Sequence, residues 1–282
     1  MYLKKLGNDP KFGVLPEVLS FDEKFLNREI ATNGFSFIMI DWKKIKLIDM
    51  LPTRHTDELW KYFQSVSSKN KADVRYITMD MYDTYLRIAN VFFAHAKVAI
   101  DSFHVLKHLK ATFDREKHKF MWKFDNGAEI LENNSENYYL ISKYSSLLYD
   151  FYGNLSNNLK YNKKLGYHIS NRGMVNLIIN IDPNLKKAHQ LSQDYREFNC
   201  LQSREEAEKE IDEIIEKIDQ SKLNSFKDFS NMLKTWKEYI LNSFIKITDA
   251  NGKIRRLSDG PTEGINNSIE KIHKNANRYA NF

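Results

Sequence analysis

Short apolar runs and amphipathic stretches alternate along the first hundred residues. The runs that predict β-strands are 18–21, 35–40, 45–48, 74–79 and 97–100. Residues 55–66 and 84–93 have apolar positions at helical spacing instead, and the first stretch places Leu59, Tyr62, Phe63 and Val66 on one face. The polar break at 41–44 predicts a hairpin between the second and third strands. The resulting order, three strands followed by helix, strand, helix and strand, predicts an α/β fold.

Helical periodicity dominates from about residue 103 to 250. It predicts helices over 138–152, 173–181, 183–200, 204–218 and 226–247. The charged run 204–210 is interpreted as a solvated helix face, because its apolar stripe is too short for a coiled coil. After a turn at Asn251-Gly252, the remaining segment predicts a helix from Pro261, with Ile265, Ile269 and Ile272 on its buried side.

Composition narrows the class of protein. Of 282 residues, 42% are hydrophobic and 28% charged, as in ordinary globular proteins. No apolar run approaches the roughly 20 residues of a membrane span, the N-terminus lacks the apolar stretch of a secretory signal, and no membrane partner is expected. Cys200 is the only cysteine, which excludes an internal disulfide and a cysteine-pair zinc site. These features predict a cytoplasmic protein, and the net charge of +6 suits a polyanion ligand.

Three acidic residues are notable for their positions. Asp22 ends the first predicted strand, Asp80 ends the fourth, and Glu263 lies in the first turn of the last predicted helix. Strand ends present side chains to a crevice, and a helix N-terminus favours an ionised carboxylate. Taken singly, each also fits an ordinary turn or capping role.

Five sequence blocks carry a resemblance to a known family. They are Ser20–Glu23, Ile48–Arg54, Thr78–Tyr85, Ile100–His104 and Asp259–Asn267. In this order they resemble the blocks of the ISL-three group of insertion-sequence DDE transposases, over essentially the whole chain and most strongly in the last block. The resemblance implies a ribonuclease-H-like mixed sheet with a large all-helical insertion between the second and third catalytic acidic residues. Residues 1–125 would then form the first part of the core, 126–250 the insertion, and 251–282 the last helix of the core.

The resemblance also implies the chemistry. It assigns Asp22, Asp80 and Glu263 as catalytic residues and as ligands of two Mg²⁺ or Mn²⁺ ions. Carboxylate oxygens are the ligands that Mg²⁺ prefers, and paired ions can activate a water or a DNA 3′-hydroxyl and stabilise the leaving oxygen. The expected activity is phosphodiester cleavage and strand transfer at the ends of an insertion sequence.

Asp101 is the alternative to Asp80, because it too follows a predicted strand. Asp80 is preferred, since in ribonuclease-H-like enzymes the fourth strand supplies this ligand. Asp101, His104 and Asn267 are expected to support the site from outside the ligand set. His104 and His108 have a spacing that can hold a metal, but no glutamate follows His104 and no third ligand is in view, which favours an ordinary helix surface.

The resemblance implies that the partner is DNA, both the element ends and the target. It also implies a nucleoid-associated protein, and it is compatible with a homodimer. The residues expected to contact DNA are Lys253, Arg255, Arg256, Lys274 and Arg278. Ser102 and Glu270 replace basic residues of the family pattern, which leaves open a catalytically silent remnant that binds DNA without sequence preference. No zinc-binding or helix-turn-helix pattern matches, so the expected binding is weak, indifferent to sequence and salt-sensitive.

Overall fold

The computed structural model describes residues 13–25, 31, 34–125 and 134–257. The chain divides into two compact units, one formed by Met1–His104 with Trp236–Phe282 and the other by Val105–Thr235. Within the described residues, no helix has the length and apolar character needed to cross a membrane.

A five-stranded mixed sheet organises the first unit. Its strands are β1 (Val18–Phe25), β2 (Phe35–Asp41), β3 (Lys46–Leu51), β4 (Tyr76–Met79) and β5 (Lys97–Ile100). Their spatial order is β3-β2-β1-β4-β5. The pairs β1–β2 and β2–β3 are antiparallel, whereas β1–β4 and β4–β5 are parallel. The predicted α/β class is confirmed, and each of the five strands overlaps its predicted apolar run. The first strand extends four residues beyond its predicted end, so Asp22 lies within β1 and not at its end.

Helices connect these strands. In the first unit they are α1 (Thr56–Ser65), α2 (Ser68–Lys71) and α3 (Asp83–Phe92). The unit also contains the first residues of α4 (Ser102–Asp125), the last residues of α9 (Lys227–Asn242), and an antiparallel pair formed by β8 (Lys246–Thr248) and β9 (Ile254–Arg256). Because β4 and β5 run parallel to β1, each needs a helical crossover, and α1 and α3 supply the segments before and after β4.

Aromatic side chains form the core on one face of the sheet. The ring of Phe21 in β1 lies 5.3 to 6.3 Å, centroid to centroid, from the rings of Phe37, Phe63, Tyr85 and Phe93. Most of these pairs meet edge to face, the arrangement that aromatic quadrupoles favour. The cluster joins β1 and β2 to α1 and α3, and therefore fixes the strand that carries Asp22.

The opposite face of β1 has its own buried cluster. Val18, Trp42, Ala99, Ile247 and Leu257 pack together there, with Tyr76 against them. Phe21 follows Val18 by three positions, and an odd step along a strand places two side chains on opposite faces. Both faces of β1 are thus buried, as expected for an interior strand.

The second unit is mainly helical. Besides parts of α4 and α9 it contains α5 (Asn134–Tyr144), α6 (Asn171–Ile179), α7 (Pro183–Asn199) and α8 (Arg204–Gln220). Side chains cap the helix starts: Asp182 accepts from the amides of Asn184 and Leu185, and Ser203 and Glu206 form a capping box. The unit also contains a small antiparallel hairpin, β6 (Lys160–Asn162) and β7 (Tyr167–Ile169).

Two predicted helices end earlier than expected, and one hairpin was not predicted. The helix predicted over 138–152 ends at Tyr144 and continues as the 3₁₀ helix Ser145–Tyr149. The helix predicted over 226–247 ends at Asn242, whose buried amide donates to the Val98 carbonyl oxygen (2.8 Å), and β8 follows. The hairpin β6–β7 interrupts the stretch expected to be all helical, because three-residue strands are too short to give an alternating pattern.

Phe63 provides a test of the aromatic core. Phe63→Ala should lower the free energy of unfolding by about 3–5 kcal/mol, because it leaves a cavity among large buried rings. Gln64→Ala, at the exposed neighbouring position of α1, should change it by less than about 0.5 kcal/mol. Urea denaturation followed by circular dichroism measures both. Equal effects of the two substitutions would contradict the assignment of this cluster as the core.

Candidate metal centre at the carboxyl edge of the sheet

Asp22 and Asp80 lie on neighbouring parallel strands. The pairing of β1 with β4 aligns Ser20 with Thr78 and Phe21 with Met79. One step further along, the same register brings Asp22 opposite Asp80, the residue that follows β4. Neighbouring strands are about 4.8 Å apart, and residues in register point to the same face, so the register places the two residues side by side on one face of the sheet. The side chain of Asp22 is almost entirely buried, and its Oδ1 accepts from the Glu23 amide (2.6 Å).

Asp101 continues this row on the next strand. The register of β4 with β5 aligns Met79 with Ile100, and therefore Asp80 with Asp101. Asp101 begins α4: its Oδ1 accepts from the Phe103 amide (3.0 Å), and its carbonyl oxygen accepts from the His104 amide (3.1 Å). Asp80 is consequently the immediate neighbour of Asp22, and Asp101 is one strand more distant and caps a helix. The choice of Asp80 over Asp101 as ligand stays a prediction.

His104 contacts Asp80 directly. The Nε2 atom of His104, in the first turn of α4, lies 2.7 Å from Oδ1 of Asp80. Both side chains are largely buried. The contact restricts the orientation of the Asp80 carboxylate.

Arg54, to which the sequence patterns gave no role, pairs with Glu23, whose side chain alternates to the face of β1 opposite that of Asp22. Nη1 of Arg54 donates to Oε2 of Glu23 (2.6 Å), the residue after Asp22. The guanidinium carbon is 4.0 Å from the centroid of the Phe35 ring and 5.8 Å from that of Tyr82, both within cation–π range. The Glu23 carboxylate raises the pKa of Arg54. The guanidinium is thus held in a fixed plane with about one third of its side chain exposed.

Tyr85 faces the same group of acidic residues from α3. Its hydroxyl is buried and has no hydrogen-bond partner among the residues that the structure describes. Burial raises the pKa of Tyr85, and the negative charges of Glu23, Asp22 and Asp80 add to this effect. The hydroxyl therefore stays protonated and can donate a hydrogen bond. Its buried position in a helix that looks like plain core gave no sign of this from the sequence.

The remaining predicted residues of the site cannot be placed. Glu263, Asn267, Lys274 and Arg278 lie outside the described residues. Within the described part of the chain, no group of three histidine, cysteine, aspartate or glutamate side chains is arranged to hold a metal ion. Of the three predicted ligands, the structure describes Asp22 and Asp80. The convergence of Glu263 with them stays a prediction.

The predicted DNA-contacting residues that are described lie in and beside β9. Nε of Arg255 is 2.9 Å from Oδ2 of the buried Asp249. The Arg256 guanidinium stacks on the Phe244 ring, 3.7 Å from its centroid, and donates to Ser243. Lys253 closes the turn of this hairpin through its backbone. Its amide and that of Asn251 donate to the Asp249 carboxylate and lower the pKa of Asp249. Both arginines therefore make contacts within the unit, and their role towards DNA stays a prediction.

Comparison with known proteins places the chain in a family. The family model for the DDE transposases of the ISL-three group, described as transposase, matches residues 19–282. No curated protein and no solved structure matches the chain. The matched range includes both strands that carry Asp22 and Asp80, and it covers nearly the whole chain. The chain belongs to the ISL-three group of DDE transposases.

Proposed function

We propose that this chain is the catalytic core of a transposase that cleaves DNA phosphodiester bonds and transfers strands at the ends of an insertion sequence. The observation that carries the proposal is the adjacency of Asp22 and Asp80 on parallel strands of a chain in this family. Two carboxylates on one face of a sheet are costly unless a cation offsets their repulsion. Glu263 is the proposed third carboxylate.

The order of the strands supports a ribonuclease-H-like core. Three strands form an antiparallel meander, β1 to β3, and two further strands add in parallel beside β1. In the proposed assignment, the first catalytic carboxylate lies on the central strand β1 and the second follows β4. The proposed insertion lies between Asp80 and Glu263 in the sequence. The second unit, Val105–Thr235, falls within that interval.

The donor set fits a hard divalent cation. DDE transposases generally use divalent metal ions, and Mg²⁺ or Mn²⁺ is proposed here, with two ions. Both side chains offer oxygen atoms only, and Mg²⁺ is commonly held by one or two protein carboxylates, with water and phosphate completing the shell. When bound, such ions activate the attacking oxygen and stabilise the leaving oxygen of an in-line displacement.

The surrounding residues orient these ligands. Nε2 of His104 lies 2.7 Å from Oδ1 of Asp80 and restricts the orientation of this carboxylate. The buried hydroxyl of Tyr85 can donate to a carboxylate or to a water in the site, and it remains neutral for the reasons of burial and charge given above. His104 is therefore the proposed positioning residue for Asp80, and Tyr85 a proposed hydrogen-bond donor near the site.

Arg54 is the proposed phosphate contact of the site. Its described hydrogen bond uses Nη1 alone, so Nε and Nη2 are available for the two oxygens of a phosphate. The guanidinium lies against the rings of Phe35 and Tyr82, and its bond to Glu23 fixes its position.

The catalytic assignment predicts the effect of removing one charge. Asp22→Asn and Asp80→Asn should each reduce DNA cleavage in Mg²⁺ or Mn²⁺ by more than the roughly 10–100-fold that loss of an outer-shell partner costs. Asp83→Asn is the matched control, because it makes the same change at an exposed position three residues beyond Asp80 and should retain activity. Cleavage of end-labelled duplex DNA measures the three variants, and circular dichroism checks that they fold.

Robust cleavage by Asp80→Asn, or by the unaltered chain in excess chelator, would contradict the metal-dependent mechanism. Inactivity of the unaltered chain with metal bound at Asp22 and Asp80 would favour a catalytically silent transposase remnant.

The Arg54 assignment predicts a change in salt dependence. For duplex DNA the slope of log affinity against log salt should fall by about 0.9 in Arg54→Gln, because one phosphate contact is lost. Arg54→Lys should keep the slope, because it keeps the charge. Arg75→Gln, an exposed arginine just before β4 at the other end of the sheet, should leave the slope unchanged. Binding is measured by fluorescence anisotropy at several salt concentrations. A slope in Arg54→Gln equal to that of the unaltered chain would show that Arg54 does not bind phosphate.

A further inference from the structure

The hairpin β6–β7 of the second unit exposes aromatic and basic side chains together. Tyr161 is 57% exposed and Tyr167 46% exposed, and the preceding Leu159 is 67% exposed. Tyr161 pairs across the strands with His168, and their ring centroids are 5.2 Å apart. Large exposed apolar groups of this kind mark a binding surface more often than a plain protein exterior.

The hairpin is firmly built despite its short strands. The buried Asn162 accepts from the amides of Lys164 and Leu165 through Oδ1 (3.0 and 3.1 Å) and donates from Nδ2 to the Tyr144 hydroxyl (3.0 Å). Gly166 closes the turn with φ of +78°, and its amide donates to the Asn162 carbonyl oxygen. The exposed rings and lysines are therefore presented on a fixed support.

The charge of the hairpin identifies its partner. Lys160, Lys163 and Lys164 are all exposed, and no acidic residue occurs in the sequence between Asp150 and Asp182. A protein interface would gain little from three uncompensated cations, whereas a phosphate backbone is attracted to them. Aromatic rings next to a basic track are the arrangement by which proteins stack the unpaired bases of a single strand.

We propose that the β6–β7 hairpin binds an unpaired segment of DNA, with Tyr161 and His168 as a stacking surface and the three lysines as phosphate contacts. This inference rests on the proposed action on DNA and adds a second contact region, within Val105–Thr235. It requires none of the metal ligands, so it can be tested while the metal site is empty.

Charge is tested first, on the full chain in excess chelator. The slope of log affinity against log salt for a labelled oligothymidine should fall by about 1.4 in Lys163→Gln/Lys164→Gln, which loses two single-strand phosphate contacts. The control Lys209→Gln/Lys227→Gln removes the same charge from exposed positions of the same unit, on α8 and α9, and should keep the slope. Equal slopes in the two double variants would overturn the proposal, as would the absence of binding by the unaltered chain.

Stacking is tested separately. Tyr161→Ala/His168→Ala should weaken binding of oligothymidine about tenfold while the affinity for blunt duplex changes little, because only unpaired bases can stack on the rings. Unchanged affinity for oligothymidine would overturn the proposal. A change in molar mass by light scattering, with DNA binding intact, would also overturn it and would assign the rings to an interface between copies. If neither set of variants changes binding and metal-dependent cleavage is normal, the hairpin assignment alone is refuted and the proposed function stands.

Discussion

The parallel pairing of β1 with β4, and of β4 with β5, is the constraint on which the candidate site depends. It aligns Asp22, Asp80 and Asp101 along one edge of the sheet and on one face. Ionised carboxylates in such a row repel one another, and each of the three has a different neighbouring contact. Asp101 gives its carboxylate to the start of α4, Asp80 contacts His104, and Asp22 accepts from the backbone. The pair at β1 and β4 is the one proposed to share a cation.

Packing on both faces of β1 holds that register. The aromatic cluster around Phe21 fixes β1 from one side, and the cluster around Val18 and Trp42 fixes it from the other. A shift of one residue would exchange the two sets of side chains between the faces, so the alternative register is strongly disfavoured. The rigidity of the core thereby passes to Asp22, and through the strand pairing to Asp80.

Much of the first unit could be predicted from the sequence. Its strands are apolar and well separated, and Asp80 directly follows β4 as the pattern predicts. Asp22 does not end its strand as predicted, because β1 continues to Phe25 through its pairing with β2. The role of Arg54 could not be predicted, because its contacts with Glu23, Phe35 and Tyr82 come from three other segments of the chain. The β6–β7 hairpin was missed because strands of three residues give no periodic signal. The end of α9 was misplaced because Ile247 continues the helical pattern of apolar residues but packs as part of a strand.

The proposed binding place of a divalent cation is the edge of the sheet where Asp22 of β1 lies beside Asp80. The most direct test is a crystal of the full chain grown or soaked with Mn²⁺ and measured at a wavelength where manganese scatters anomalously. The predicted result is an anomalous peak about 2.1 Å from carboxylate oxygens of both Asp22 and Asp80, absent in Asp80→Asn. Peaks only at other positions, or a Mn²⁺ ion held by Asp80 and Asp101 without Asp22, would contradict the account.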